Sequence, residues 1–306
     1  MKSLRQQFAD TMLDVGSSDA NLVVMVGDIS HGILQPFAKE FPKRYYNIGI
    51  CEPTIVNMGA GLSKVGLIPV LHTIAPFLIE RSYEQIKLDY GYQKLPVNLV
   101  SVGGSFDYSK LGCSHHTYAD VSMMCHLKRA NVFIPGSATE FDKLFKAVYK
   151  TDAINYFRLP NNPHGVDFDS ADIQYGKAIR VREGSDITLV TMGFHLKTAL
   201  EVAEELSKIG KTAEVLYYHT IKPFDSELLK TSAQKTGSVL SIEELSEHDG
   251  IFNQVLKTCF GISNINLHQI AVKDFILGYG GYDYLCEKVG LTMPQVFESA
   301  KKLLLK

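Results

Sequence analysis

Glu52 is the only acid between Glu40 and Glu80. It follows Gly49-Ile50-Cys51, where a short apolar strand is expected to end, and it precedes Pro53. Proline is tolerated at a first helical position and a carboxylate is favoured beside a helix N-terminus, so a helix is expected to start here. Gly59, Ala60 and Gly61 fall inside that helix, so a neighbour should pack close to its backbone. Glu52 is then either an exposed cap at a strand–helix junction or a buried carboxylate that shares a proton. In the second case burial would raise its pKa, which is how catalytic acids are made.

The other chemistry-bearing stretch is GCSHHTYAD, residues 112–120, with His115 and His116 side by side after a glycine. Adjacent histidines do not readily chelate one ion, and there is no HxxxH or HExxH, so no metal site is assigned to this chain. One histidine could be exposed while the other caps a helix. As chemistry, the pair suits proton transfer to a substrate oxygen, because imidazole titrates near neutral pH. There is no GxSxG elbow and no Walker loop, and Lys64 stands where a GxGxxG starting at Gly59 needs its third glycine.

The elements that must position these residues alternate. Residues 2–16 have helical periodicity. Strands are expected at Leu22–Val26, up to Cys51, and at Leu67–Leu71, Pro96–Val102, Val132–Ile134 and Asn155–Arg158. Helices are expected from Glu52 and over Phe77–Tyr92, Tyr118–Leu127 and Thr139–Tyr149. Such alternation implies a mostly parallel sheet with helices on both faces, whose ligands bind at the carboxyl ends of the strands. Asp28, Glu52, Gly103 and the His115 loop each follow a strand, so they should share one edge. After a polar stretch with Pro and Gly, the alternation restarts at Ile187 and runs to Ile270. It is followed by a Gly-rich segment and an amphipathic close. The expected organisation is therefore two α/β domains, 1–162 and 186–306, joined by a linker over 163–185. The second shows no dense cluster of acids, histidines or glycines.

A net charge of −2 argues against a nucleic-acid partner. The N-terminal stretch is amphipathic with Asp10 inside it, unlike a signal peptide, and no apolar run reaches membrane-spanning length. Five scattered cysteines without a CxxC pair suit buried thiols in a reducing cytoplasm.

NIGICEPTIVNMGAGLSKVG resembles the motif around the catalytic glutamate of transketolase and deoxyxylulose-phosphate synthase. GCSHHTYADVSMM resembles their GPTHQ-type loop, with His115 at the motif histidine. HTIAPFLIERSYEQI resembles the aromatic-bearing segment that follows. ITLVTMG, the helix after it and the Gly-rich close before GLT resemble the transketolase C-terminal domain. The resemblance spans nearly the whole chain. It implies a pyrimidine-binding domain followed by a transketolase C-terminal-like domain, thiamine diphosphate as cofactor, and transfer of a two-carbon ketol unit from a ketose to an aldehyde. Full-length transketolases begin with a diphosphate-binding domain carrying a GDG…N metal motif; here Ile29 follows Gly27-Asp28. The expected partner is therefore a separate diphosphate-binding N-terminal subunit that supplies the Mg2+ ligands, in a two-plus-two heterotetramer.

By the same resemblance Glu52 meets the aminopyrimidine ring, Phe77 stacks on it, and Asp28, Ile50 and Arg81 are further cofactor contacts. His115 and His116 would act on the sugar's oxygens, with Ser30, Arg5 and Arg158 as substrate contacts. The sugar end departs from the family. The acid before the motif glycine is Leu111, the second arginine of an RxxR-like phosphate grip is Asn161, and a position often occupied by histidine is Gly103. Loss of a bidentate arginine removes a strong phosphate-recognition element. An atypical substrate is expected, outside the ordinary pentose phosphates, such as one lacking a terminal phosphate. The competing expectations are the β subunit of a 2-oxo acid dehydrogenase and a non-catalytic regulatory subunit.

Overall fold

The first sheet is made of short apolar runs buried on both faces, as parallel strands covered by helices must be. The computed structural model describes residues 2–305. The strands are β1 Leu22–Val26, β2 Tyr45–Asn47, β3 Ile68–Ile74, β4 Val97–Val102, β5 Ala130–Phe133 and β6 Ile154–Leu159. They are followed by β7 Ile179–Arg182, β8 Ile187–Thr191, β9 Ala213–Tyr217, β10 Thr220–Lys222, β11 Ser238–Ser246 and β12 Asn266–Val272. The first sheet has the order β10-β5-β6-β4-β3-β1-β2 and the second β12-β11-β8-β9-β7. Within each, all pairings are parallel except those of β10 and β7.

Helices Leu4–Ser18 and Ala138–Val148 cover one face of the first sheet, where Phe8, Met12, Phe141 and Phe145 pack on Val24 and Val70. Helix Glu52–Lys64 covers the other through Ile55, Val56 and Ala60. A Cβ on Gly59 would meet the Tyr90 hydroxyl at 2.7 Å and Leu71 at 2.9 Å, which is the close approach its small residues imply. That core continues into Val190, Leu216, Tyr218 and Leu229 of the second domain, so the two sheets share apolar packing. Among the described residues no helix is long and apolar enough to cross a membrane.

Three local expectations are corrected, and one pairing is added to them. The strand expected to reach Cys51 ends at Asn47. There the Asn47 side chain accepts from the amides of Asp28 and Gly49, both at 3.1 Å, and turns the chain out of the sheet. The expected helix over Phe77–Tyr92 is three pieces: wide π-turns at Pro76–Glu80 and Ile86–Tyr92 flank a short α-turn at Tyr83–Gln85. The polar 163–185 stretch contains strand β7, which is paired with β9, and its Ile173 is buried against the first core. Its composition reads as linker because only one face of so short an edge strand is apolar. Finally, β10 crosses back to pair with β5 in the first sheet, a non-local pairing no local pattern announces.

Candidate active site

The carboxyl edge of the first sheet gathers most of the expected residues. Glu52 opens its helix at the end of the loop after β2 and is 1% exposed, so it is a buried carboxylate and not an exposed cap. Arg81, on the turn after β3, donates from Nη1 to Glu52 Oε2 at 2.8 Å. Among the described residues Oε1 of Glu52 has no hydrogen-bond partner. The Arg81 guanidinium also lies 4.3 Å from the centre of the half-buried Phe77 ring. Phe77 in turn meets His115 edge to face, with centroids 5.1 Å apart. Cys51 and Ile50, beside Glu52, are exposed, Ile50 by 70%. Cys113 in the His115 loop is exposed too, so not all five thiols are buried as expected.

A second group lies on the same edge. Ser30 Oγ accepts from Arg5 Nε and Nη2 at 3.3 and 3.1 Å. It lies 2.8 Å from His72 Nε2, while His72 Nδ1 lies 2.7 Å from the carbonyl of Val100. A carbonyl can only accept, so Nδ1 carries the hydrogen and the Ser30 hydroxyl donates to Nε2. Burial, with the charge of Arg5 added, holds His72 down to about 3 against the pull of the Val100 bond, so the ring is neutral. Asp28 and Ser30 both have positive φ, 66° and 61°, which is sparsely populated backbone of the kind that clusters at functional sites. The Asp28 carboxylate is exposed and accepts from Asn47 Nδ2 at 3.2 Å.

Two expected residues lie elsewhere. His116 is buried, its Nδ1 3.2 Å from the Tyr118 hydroxyl, and burial holds its pKa below the usual value. It lines a cleft of about 390 Å³ with Glu80, Tyr118, His248 and Phe275, whereas its neighbour His115 faces Phe77. Arg158, expected to meet substrate, is buried with Nε 3.2 Å from Asp120 Oδ2. It faces the domain junction, where Asp120 is wholly buried and also accepts from Tyr156 at 2.5 Å, while Arg158 Nε and Nη2 make no hydrogen bond among the described residues. Asp107, Glu244 and His195 complete that junction around an enclosed cavity. Burial, then the charge of Glu244, push Asp107 up to about 8 despite Arg158. Among the described residues no three His, Cys, Asp or Glu side chains converge as a metal site.

Sequence reasoning missed His72, Tyr108 and the anchor of the histidine loop. In that anchor Thr117 donates to Glu80 and accepts from the amide of Asp120 at 3.2 Å. The signal for His72 was a lone polar ring inside IPVLHTI, which a buried strand tolerates only with partners.

Residues 1–163 match the transketolase pyrimidine binding domain, and residues 176–296 match the transketolase C-terminal domain. The chain belongs to the transketolase family. It is 31% identical over 303 residues to the 6-deoxy-6-sulfo-D-fructose transketolase subunit SqwH of Clostridium sp. (strain MSTE9), covering 98% of this chain and 94% of that one. It is 30% identical to one of the subunits of the apulose-4-phosphate transketolase of Phocaeicola vulgatus, covering 84% of each. Against the 1-deoxy-D-xylulose-5-phosphate synthase of Desulforudis audaxviator it is 28% identical but spans 48% of that protein. A solved structure described as a split gene transketolase, inactive beta4 tetramer, superposes with a TM-score of 0.90 at 30% identity, covering 100% of this chain and 99% of that one. Thiamine diphosphate is the cofactor of the transketolase family, and the relatives named above are transketolase subunits and a 1-deoxy-D-xylulose-5-phosphate synthase.

Proposed function

We propose that this chain is the pyrimidine-binding subunit of a two-chain transketolase that moves a two-carbon ketol unit from an atypical ketose to an aldehyde. The observation that carries this is Glu52: a buried carboxylate with one free oxygen, beside the Phe77 ring, in a chain of this family. These residues fit the pyrimidine end of thiamine diphosphate. Arg81 already draws on both contacts such a ring needs, a carboxylate acceptor and an aromatic face. When bound, the cofactor supplies the carbon nucleophile and the electron sink for carbon–carbon cleavage. With Arg81 displaced from it, Glu52 would share a proton with the aminopyrimidine. Phe77 would stack on the ring in place of the Arg81 guanidinium, with Asp28, Ile50 and Arg81 as further contacts. His115 exchanges a proton with a substrate oxygen, while Arg5 and Ser30 orient the far end of the sugar. Mg2+ and the diphosphate are assigned to a separate partner subunit, in a two-plus-two heterotetramer; the split relatives named as subunits support the separate partner, and the solved beta4 tetramer, described as inactive, supports self-association of chains like this one.

The substrate is assigned outside the ordinary pentose phosphates. The Asn161 and Leu111 departures, the burial of Arg158, and two relatives named for a sulfofructose and an apulose phosphate support this. The test is ketol transfer by the assembled two-chain enzyme. Glu52→Gln should lower kcat by at least about 100-fold, the scale of a positioned proton-transfer group. Unchanged activity would remove Glu52 as the acid, and efficient turnover of xylulose 5-phosphate with ribose 5-phosphate would overturn the substrate assignment.

A further inference from the structure

Gly103 closes β4 with φ +70°, and a Cβ added there would run into the ring of Tyr108. The Tyr108 ring therefore fills the volume that a side chain at 103 would take. It stands edge-on to His115, with centroids 6.2 Å apart and planes at 75°, so His115 lies between the rings of Phe77 and Tyr108. Among the described residues the half-buried Tyr108 hydroxyl has no hydrogen-bond partner. Burial raises its pKa, so it is a donor at neutral pH, and the charge of Arg5 reaches it. Arg5 makes no ion pair among the described residues, bonding instead to the Ser30 hydroxyl. The other aromatic of this loop, Phe106, is turned into the second core, so Tyr108 is the aromatic the loop presents to His115.

We propose that Tyr108 is a specificity-determining residue: its hydroxyl, together with Arg5, donates to an oxyanion at the far end of the ketose, and its ring sets how long that ketose can be. The surroundings are rich in donors and carry an unpaired cation, which suits a sulfonate or a phosphate and leaves a neutral hydroxymethyl end weakly held. This inference rests on the transketolase reading above.

The experiment uses the assembled two-chain enzyme with fructose, fructose 6-phosphate, 6-deoxy-6-sulfofructose and sedoheptulose 7-phosphate as donors. Tyr108→Phe keeps the ring and should raise KM about tenfold for the anionic six-carbon donors, as expected for a lost hydrogen bond to a charged group, while kcat and the values for fructose stay put. The more affected anion, sulfonate or phosphate, identifies the end group the site is built for. Tyr108→Leu should raise kcat/KM for sedoheptulose 7-phosphate relative to the six-carbon donors. An equal change for all four donors, or an unchanged ranking in both variants, overturns the inference while leaving the transketolase reading intact. No turnover of any ketose by the wild-type assembly overturns that reading and this inference with it.

Discussion

Replacing Arg81 by methionine should expose how far Glu52 depends on its partner. The Glu52 side chain is 2% exposed and that of Arg81 46%, so the pair is buried on one side only. Stranding a carboxylate in a fully buried pair costs about 3–5 kcal/mol, and solvent on the arginine side cuts this to about 1–2 kcal/mol. Loss of the guanidinium from the Phe77 ring adds about 0.5 kcal/mol. In a chain of this length each kcal/mol lowers the apparent Tm by roughly 1.5–2 °C, so Arg81→Met should melt roughly 2–5 °C lower. In a Glu52→Gln background the stranded charge is gone, and the same change should cost under about 1 kcal/mol. A double-mutant cycle from urea midpoints should therefore give a coupling of about 1 kcal/mol. Additivity within about 0.3 kcal/mol would refute the ion pair and the buried setting of Glu52 with it.

His72 gives a prediction in pH. Its folded value is near 3 and an unfolded histidine takes up a proton near 6.5, so its contribution is whole above pH 6.5 and is lost as pH falls toward 3. Between pH 6 and 4 wild type should lose up to about 1.4 kcal/mol per pH unit more than His72→Gln; parallel urea midpoints would contradict a buried neutral ring. Arg158→Met strands buried Asp120 and should cost about 3 kcal/mol or more by denaturation, whereas Arg5→Met should move stability by under about 1 kcal/mol and show instead as a raised KM for anionic donors. The reverse pattern would exchange the structural and substrate roles given to these two arginines.

The site was legible in the sequence wherever a residue's place follows from the strand it ends. Glu52, Phe77 and His115 each lie in the connection that follows a strand of an alternating pattern, so parallel topology brings those connections to one edge. Whether a residue at that edge faces the opening or the interior is set by long-range contacts. His116 and Arg158 turn inward because Tyr118 and Asp120 wait there, and neither partner can be read from the spacing. The same holds for β10, whose partner β5 lies about ninety residues earlier, and for the junction of Asp107, Arg158, His195 and Glu244. That cluster joins side chains of both domains, so a domain-by-domain search for dense motifs passes over it. Tyr108 was hidden for another reason: Gly103 reads as a lost side chain, and only the folded loop shows what fills the space.

The central claim is a thiamine diphosphate site divided between this chain and a partner. Its most direct test is calorimetric titration of thiamine diphosphate with Mg2+ into this chain alone, and then into the chain assembled with a subunit carrying the GDG…N motif. Binding only to the assembly, weakened by Glu52→Gln, is the predicted result. Tight binding to this chain alone, or no binding to the assembly, would contradict it.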